Sequence, residues 1–210
     1  MNGFTHFIGV ILSIAATFLL IIKSNDSQSL IGVISISVFG ISMILLFTAS
    51  TLYHWLKLSE EGIKKLRKVD HIMIFIYIAA TYTPICIIVL KGYTGWLLLI
   101  AVWLVAIFGV IIKLFWMNAP RWLSTLIYVL MGWLAVVVIY PLFSSLEIDA
   151  LLWLFTGGLF YTVGAIIYAL KKPDPFPGIL GFHEIFHLFV LAGSFSHYWL
   201  MYKYISIFQF

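Results

Sequence analysis

The sequence predicts an all-α protein that crosses a membrane several times. Of its 210 residues, 63% are hydrophobic and only 10% are charged, too few charges to cover the surface of a soluble domain. The hydrophobic residues also gather in seven stretches, each close to or above the ~20 residues that cross a bilayer as a helix. These stretches are 4–22, 30–56, 70–90, 95–115, 122–143, 150–170 and 181–205.

Turn-forming and charged residues separate the stretches. They lie at 25–27, 59–62, 91–92, 118–120, 144–145 and 173–178. No polar linker or change of composition divides the chain, so we expect residues 1–210 to form a single transmembrane domain. The net charge of +4 does not indicate a nucleic-acid partner, because the basic residues are expected in the loops, where they determine topology.

The distribution of basic residues predicts the orientation of the helices. If the N-terminus is cytoplasmic, nine of the twelve Lys and Arg residues, Lys113 among them, fall in cytoplasmic loops and three fall outside. Loops that remain in the cytoplasm are enriched in Lys and Arg. We therefore expect the N-terminus inside and the C-terminus outside, in agreement with an odd number of membrane spans.

Ionisable residues in or beside the apolar stretches are the candidate functional residues, because they are costly in a bilayer and usually serve a function. His183 and His187 are four residues apart, so they share one helix face and can reach a single metal ion. His54 ends the second stretch and Asp70 opens the third. In the predicted orientation, all four lie at similar depth near the cytoplasmic ends of their helices.

Three imidazoles and a carboxylate suit a zinc ion. Catalytic zinc takes three protein ligands, leaves a position open for water and lowers the pKa of that water to ~7. We expect His54, His183 and His187 to be the ligands, with Asp70 as general base or binder of the water. Ser50 precedes His54 by one helical turn and is expected to support the water or a substrate carbonyl.

Two alternatives remain open at this stage. In the first, the carboxylate of Asp70 only pairs with Lys68 or Arg67 and has no catalytic role. In the second, His183-Glu184-x-x-His187 is the pattern of zinc proteases, in which the glutamate is the base. Glu184 would then make the chain an intramembrane protease, although no second carboxylate motif accompanies it.

The other histidines carry weaker expectations. His6 belongs to the same layer, either on the rim of the site or at the cytoplasmic surface. His71 directly follows Asp70, must face away from it and is expected at the membrane interface. His197 lies ~15 Å beyond His187 along a helix axis, so we expect a helix–helix contact instead of a metal ligand.

The order and spacing of these motifs resemble the hemolysin III family. That family belongs to a wider group that includes the progestin and adipoQ receptors and is related to alkaline ceramidases. The resemblance runs through nearly the whole chain. It is carried by Asn2-x-x-x-His6, Ser50-x-x-x-His54, Asp70 and His183-x-x-x-His187, the last followed by Leu188-Phe189-Val190-Leu191-Ala192-Gly193-Ser194.

The resemblance implies seven transmembrane helices in the bacterial cytoplasmic membrane, with the N-terminus inside. It also implies zinc bound by the residues at His54, His183 and His187, near the cytoplasmic face, with Ser50 and Asp70 close to the metal. The favoured function is hydrolysis of a membrane lipid amide or ester, with a role in membrane lipid homeostasis.

A non-enzymatic function is the alternative. The chain would then be a pore-forming cytolysin, as the family name suggests, or a regulator of membrane state with a structural zinc. A pore made by one chain should show polar stripes along several helices. The fourth to sixth stretches are apolar on all faces, which argues against a water-filled channel made by one chain but not against an oligomeric one.

Overall fold

A computed structural model describes residues 2–116, 120–176 and 180–208, and this part of the chain is helical without a strand. The α-helices are α1 (Asn2–Asn25), α2 (Leu30–Trp55), α3 (Glu60–Pro84), α4 (Gly92–Phe115), α5 (Arg121–Gly132), α6 (Ile139–Ser145), α7 (Ile148–Leu170) and α8 (Phe182–Leu200). Two π-helical segments, Ile85–Leu90 and Met201–Ile205, continue α3 and α8, and the 3₁₀ helix Trp133–Val138 joins α5 to α6. The described residues thus form seven helical rods, as predicted.

Six of these rods are long and apolar enough to cross a membrane: 3–25, 30–55, 60–90, 92–115, 122–145 and 148–170. The rod of α8 is not among them, because His183, Glu184, His187 and His197 lower its hydropathy. Helices suit a bilayer because they satisfy every backbone polar group internally. The chain is therefore an all-α polytopic membrane protein, and the rod that falls short of the six is the one that carries two of the predicted ligands.

The start of α3 differs from the prediction. The helix begins at Glu60, ten residues before the predicted apolar stretch, where a loop was expected. Ser59 caps it: its hydroxyl accepts a hydrogen bond from the Gly62 N–H at 3.3 Å. Glu60 and Glu61 in the first turn complement the helix dipole. Asp70 therefore lies about three turns inside α3 instead of opening it.

Small residues let the rods approach closely. A Cβ built at Gly109 of α4 would overlap the ring of Phe75 on α3, and one built at Gly157 of α7 would overlap the imidazole of His197 on α8. Close backbone approach at small residues is the usual way in which membrane helices gain packing energy. The ring of His197 thus packs between helices, which confirms the contact that its position predicts.

The fifth rod is irregular, and a neighbouring side chain compensates for the irregularity. At the change from α5 to the 3₁₀ segment, the Tyr82 hydroxyl donates a hydrogen bond to the Gly132 carbonyl. The same hydroxyl accepts one from the Ala135 N–H at 3.0 Å. Backbone groups released from a helix inside a membrane need such partners, because lipid offers none.

We predict that Tyr82→Phe destabilises the protein by about 1–3 kcal/mol, because it leaves the Gly132 carbonyl and the Ala135 N–H without the hydroxyl that pairs with both. The measurement is the thermal unfolding temperature in detergent. Tyr93→Phe is the matched control, since Tyr93 is 82% exposed and its hydroxyl contacts lipid or solvent. Equal unfolding temperatures for the two variants would contradict the role given to Tyr82.

Candidate metal centre

The alternation of the rods brings one end of each helix to a common side of the bundle. This side holds the C-terminal end of α2 with His54, the N-terminal turns of α8 with His183 and His187, and the N-terminal turns of α1 with His6. Asp70 lies in the N-terminal half of α3, also towards this side. The layer of polar residues inferred from the sequence is therefore present in the fold.

Three histidines meet closely enough to hold a metal ion. One nitrogen from each of His54, His183 and His187 lies within 4.8 Å of the other two. The Nε2 atoms of His54 and His183 are 3.2 Å apart. Two imidazoles on a tetrahedral zinc ion, with Zn–N bonds of 2.0–2.1 Å, place their nitrogens about 3.3–3.4 Å apart. The separation of this pair and the nitrogen donors of all three residues are compatible with a metal ion such as zinc.

The surrounding rings hold these imidazoles in place. His187 is 2% exposed, whereas His54 and His183 are partly buried. The ring of His6 stacks on that of His187, with centroids 3.7 Å apart and an angle of 11° between the planes. Within the described part of the chain, neither ring nitrogen of His6 has a hydrogen-bond partner. His6 therefore lies in the wall of the site, which is one of its two predicted locations, and supports the ring of His187.

Asp70 and Ser50 form a pair beside the histidines. The Ser50 side chain, on α2, makes a hydrogen bond with the Asp70 carboxylate, and Ser50 is 2% exposed. Arg67 lies one turn before Asp70 and is the cation that interacts with it. Lys68 instead donates from Nζ to the Leu114 carbonyl at 3.1 Å. Of the two predicted ion-pair partners, only Arg67 is therefore placed to act on Asp70.

A cavity of about 430 Å³ connects these residues. Its wall includes His54, His183, His187, Ser50 and Asp70, and its volume is that of a small-molecule site. Much of the remaining wall is apolar and comes from four helices: Leu46, Ile74, Ile78, Val129, Phe186 and Val190. The predicted ligands and the predicted Ser50–Asp70 pair thus face one space that also offers a hydrophobic surface.

The cavity also reaches a polar cluster that the sequence did not reveal. The Tyr161 hydroxyl lies 3.0 Å from the Ser194 hydroxyl and donates to the Tyr77 hydroxyl at 3.3 Å. Tyr77, Tyr161 and His197 line the cavity. Both tyrosines fall well inside apolar stretches, away from the interfaces where tyrosines act as anchors, and that position is the signal that the sequence carries for them.

Two other residues differ from their predicted positions. His71 is partly buried and lines the same cavity as Asp70, so the expectation that it faces away from Asp70 is wrong. Lys113, assigned from the sequence to a cytoplasmic loop, lies in the last turn of α4, is 2% exposed and also lines the cavity. The burial of Lys113 could have been predicted from the sequence, because this lysine falls within the fourth apolar stretch, 95–115.

Glu184 has a structural role at the start of α8. Its Oε2 accepts a hydrogen bond from the Gly181 N–H at 3.0 Å, which closes the first turn of the helix. Glu184 is not one of the residues that line the cavity. A glutamate acting as base would have to face that space, so this geometry removes the support for the protease interpretation.

Comparison with known proteins agrees with these observations. Residues 1–198 match the family described as Haemolysin-III related. The chain is 42% identical over 194 residues to Hemolysin-3 of Bacillus cereus, covering 92% of this chain and 85% of the relative. It is 41% identical over 194 residues to the Hemolysin-3 homolog of Bacillus subtilis (strain 168), covering 92% and 87%.

A more distant relative comes from animals. The chain is 26% identical over 213 residues to the human Monocyte to macrophage differentiation factor, covering 97% of this chain and 83% of the relative. No solved structure is significantly similar. The match over nearly the whole chain and the identity to the Bacillus proteins show that this chain belongs to the haemolysin III family.

Proposed function

We propose that this membrane protein binds one zinc ion through His54, His183 and His187 and hydrolyses an amide or ester bond of a membrane lipid. One observation carries the proposal: three imidazole nitrogens and a hydrogen-bonded Ser50–Asp70 pair face the same cavity. A helix contact alone would explain two histidines. It would not explain a third histidine and a carboxylate placed beside them.

The three histidines, Asp70 and Ser50 have different roles in the proposed hydrolysis. Zinc held by three histidines acts as a Lewis acid and makes water acidic enough to react near neutral pH. The carboxylate of Asp70 accepts the proton of the attacking water and returns it to the leaving amine or alcohol as the carbonyl carbon–nitrogen or carbon–oxygen bond breaks. The hydrogen bond from Ser50 keeps the carboxylate oriented between these two transfers.

The shape and lining of the cavity support a lipid as the substrate. The three histidines, Ser50 and Asp70 line the same cavity as a set of apolar side chains, and this apolar wall suits an acyl chain. The site lies within the membrane-spanning helices, so a substrate dissolved in the bilayer reaches it without crossing water. Turnover of such a lipid would place the protein in membrane lipid homeostasis.

A non-enzymatic role is the second candidate, because the two Bacillus relatives carry the name Hemolysin-3. In that case the zinc would hold α2 and α8 together, and the protein would act as a cytolysin or as a regulator of membrane state. The two candidates share the metal site. They differ in whether Asp70 affects turnover, which the second prediction below tests.

The first prediction concerns the metal. Purified in detergent without chelators, the wild-type protein should contain about one zinc ion per chain, measured by elemental mass spectrometry. His54→Ala and His187→Ala should each lose most of this zinc, because two imidazoles bind the ion far more weakly than three. His71→Ala is the matched control: it lies on the same cavity but outside the triad and should keep its zinc. Zinc-free, folded wild-type protein would contradict the proposal.

The second prediction concerns Asp70. Asp70→Asn should keep its zinc and lose about 10²–10⁴-fold in the rate of lipid hydrolysis, because the amide cannot accept the proton. The measurement is release of fatty acid from a panel of lipid amides and esters in detergent. Asp26→Asn, at an exposed position, is the control and should retain full activity. Full activity of Asp70→Asn would show that Asp70 is not the base.

We also propose that the N-terminus and the metal site lie on the cytoplasmic side, since nine of the twelve basic residues would then be cytoplasmic. A third prediction follows for fusions at the C-terminus. Alkaline phosphatase fused there should be active in a bacterial host, and green fluorescent protein should not fluoresce. The opposite pair of results would reverse the orientation.

A further inference from the structure

Lys113 is a buried cation that the proposed chemistry does not use. It is 2% exposed, and its Nζ donates a hydrogen bond to the Ser124 hydroxyl of α5 at 2.6 Å. A lysine near the end of a membrane helix normally extends its ammonium group to the interface. Lys113 instead keeps its side chain inside the bundle, on the wall of the cavity. A buried ammonium group is costly unless an anion compensates for it.

The protein does not supply enough negative charge for this compensation. Asp70 is the one carboxylate among the described residues that line the cavity, and the cations there are Arg67 and Lys113. Asp70 interacts with Arg67, whereas the charged group acting on Lys113 is Arg67, which repels it. The described wall thus carries one positive charge in excess. Ser124 accepts from only one of the three ammonium donors.

We propose that Arg67, Lys113 and Ser124 form an anion-binding subsite of this cavity, which binds the phosphate or carboxylate of an acidic amphiphile. The subsite adjoins the Ser50–Asp70 pair, because Arg67 interacts with both Asp70 and Lys113. The apolar wall then receives the acyl chain. Resting on the proposed function, this arrangement identifies the substrate class as anionic lipids, with the acidic group held beside the scissile bond.

The test measures binding without turnover. Native mass spectrometry of the detergent-purified protein compares retention of phosphatidylglycerol with that of phosphatidylcholine of the same acyl chains. The wild-type protein should prefer phosphatidylglycerol. Lys113→Met should reduce the affinity for phosphatidylglycerol about 10–100-fold, the range expected for losing a charged hydrogen bond, and should leave phosphatidylcholine unaffected.

Three further variants control for general charge and for folding. Lys57→Met removes an exposed cation and should retain the preference for phosphatidylglycerol. Lys113→Arg keeps the charge and should retain most of that preference. If Lys113→Met does not fold, as judged by its unfolding temperature, Arg67→Gln tests the same subsite from α3 and should also lose the preference. No preference in the wild-type protein, or an unchanged preference in the folded Lys113→Met or Arg67→Gln protein, would overturn the proposal.

Competition with inorganic phosphate distinguishes the source of the anion. If millimolar phosphate displaces phosphatidylglycerol, the subsite accepts the free anion, and if it does not, the subsite requires the lipid. Repeating the binding with His187→Ala separates this proposal from the proposed function. Selective binding that persists without zinc or turnover supports the subsite even if the hydrolase proposal fails. Turnover without any preference for an anionic lipid refutes the subsite alone.

Discussion

The structure depends on one constraint: a polar side chain inside a membrane must find its partner within the protein. The Tyr82 hydroxyl satisfies the backbone where the fifth rod loses its α-helical form, and Ser50 satisfies the carboxylate of Asp70. The three-histidine cluster meets the same demand differently, because nitrogen atoms gathered within 4.8 Å of one another are suited to share a cation. Lys113 is the clearest exception among the described residues, since its ammonium group donates its hydrogen bond to the neutral hydroxyl of Ser124 and not to a carboxylate.

This constraint also explains why the site lies where it does. Helices α2, α3 and α8 are largely apolar, and polar residues from all three gather on one side of the bundle around a cavity of about 430 Å³. There, three histidines, a carboxylate, a hydroxyl and two cations face an apolar wall. An amphiphile has the same division of properties, with a polar group at one end and a hydrocarbon chain at the other.

Much of this arrangement could be predicted from the sequence. Seven apolar stretches match seven rods, and His54, His183 and His187 meet, because helical spacing and alternating topology are both readable from residue order. The start of α3 could not be found from hydropathy, since the capping residue Ser59 and the acidic first turn, and not apolar residues, begin that helix. The positions of His71 and Lys113 were also missed. Whether these two side chains point into the cavity depends on how α3 and α4 pack against α5. That packing cannot be inferred from the pattern of residues in a single sequence.

The most direct test of the account is the coordination of the metal itself. Zinc K-edge X-ray absorption of the purified protein reports the identity, number and distance of the ligands. The account predicts three imidazole nitrogens at about 2.0–2.1 Å and one further light atom. A first shell that contains sulfur, or oxygen atoms alone, would show that His54, His183 and His187 do not hold the ion. The central claim would then be wrong.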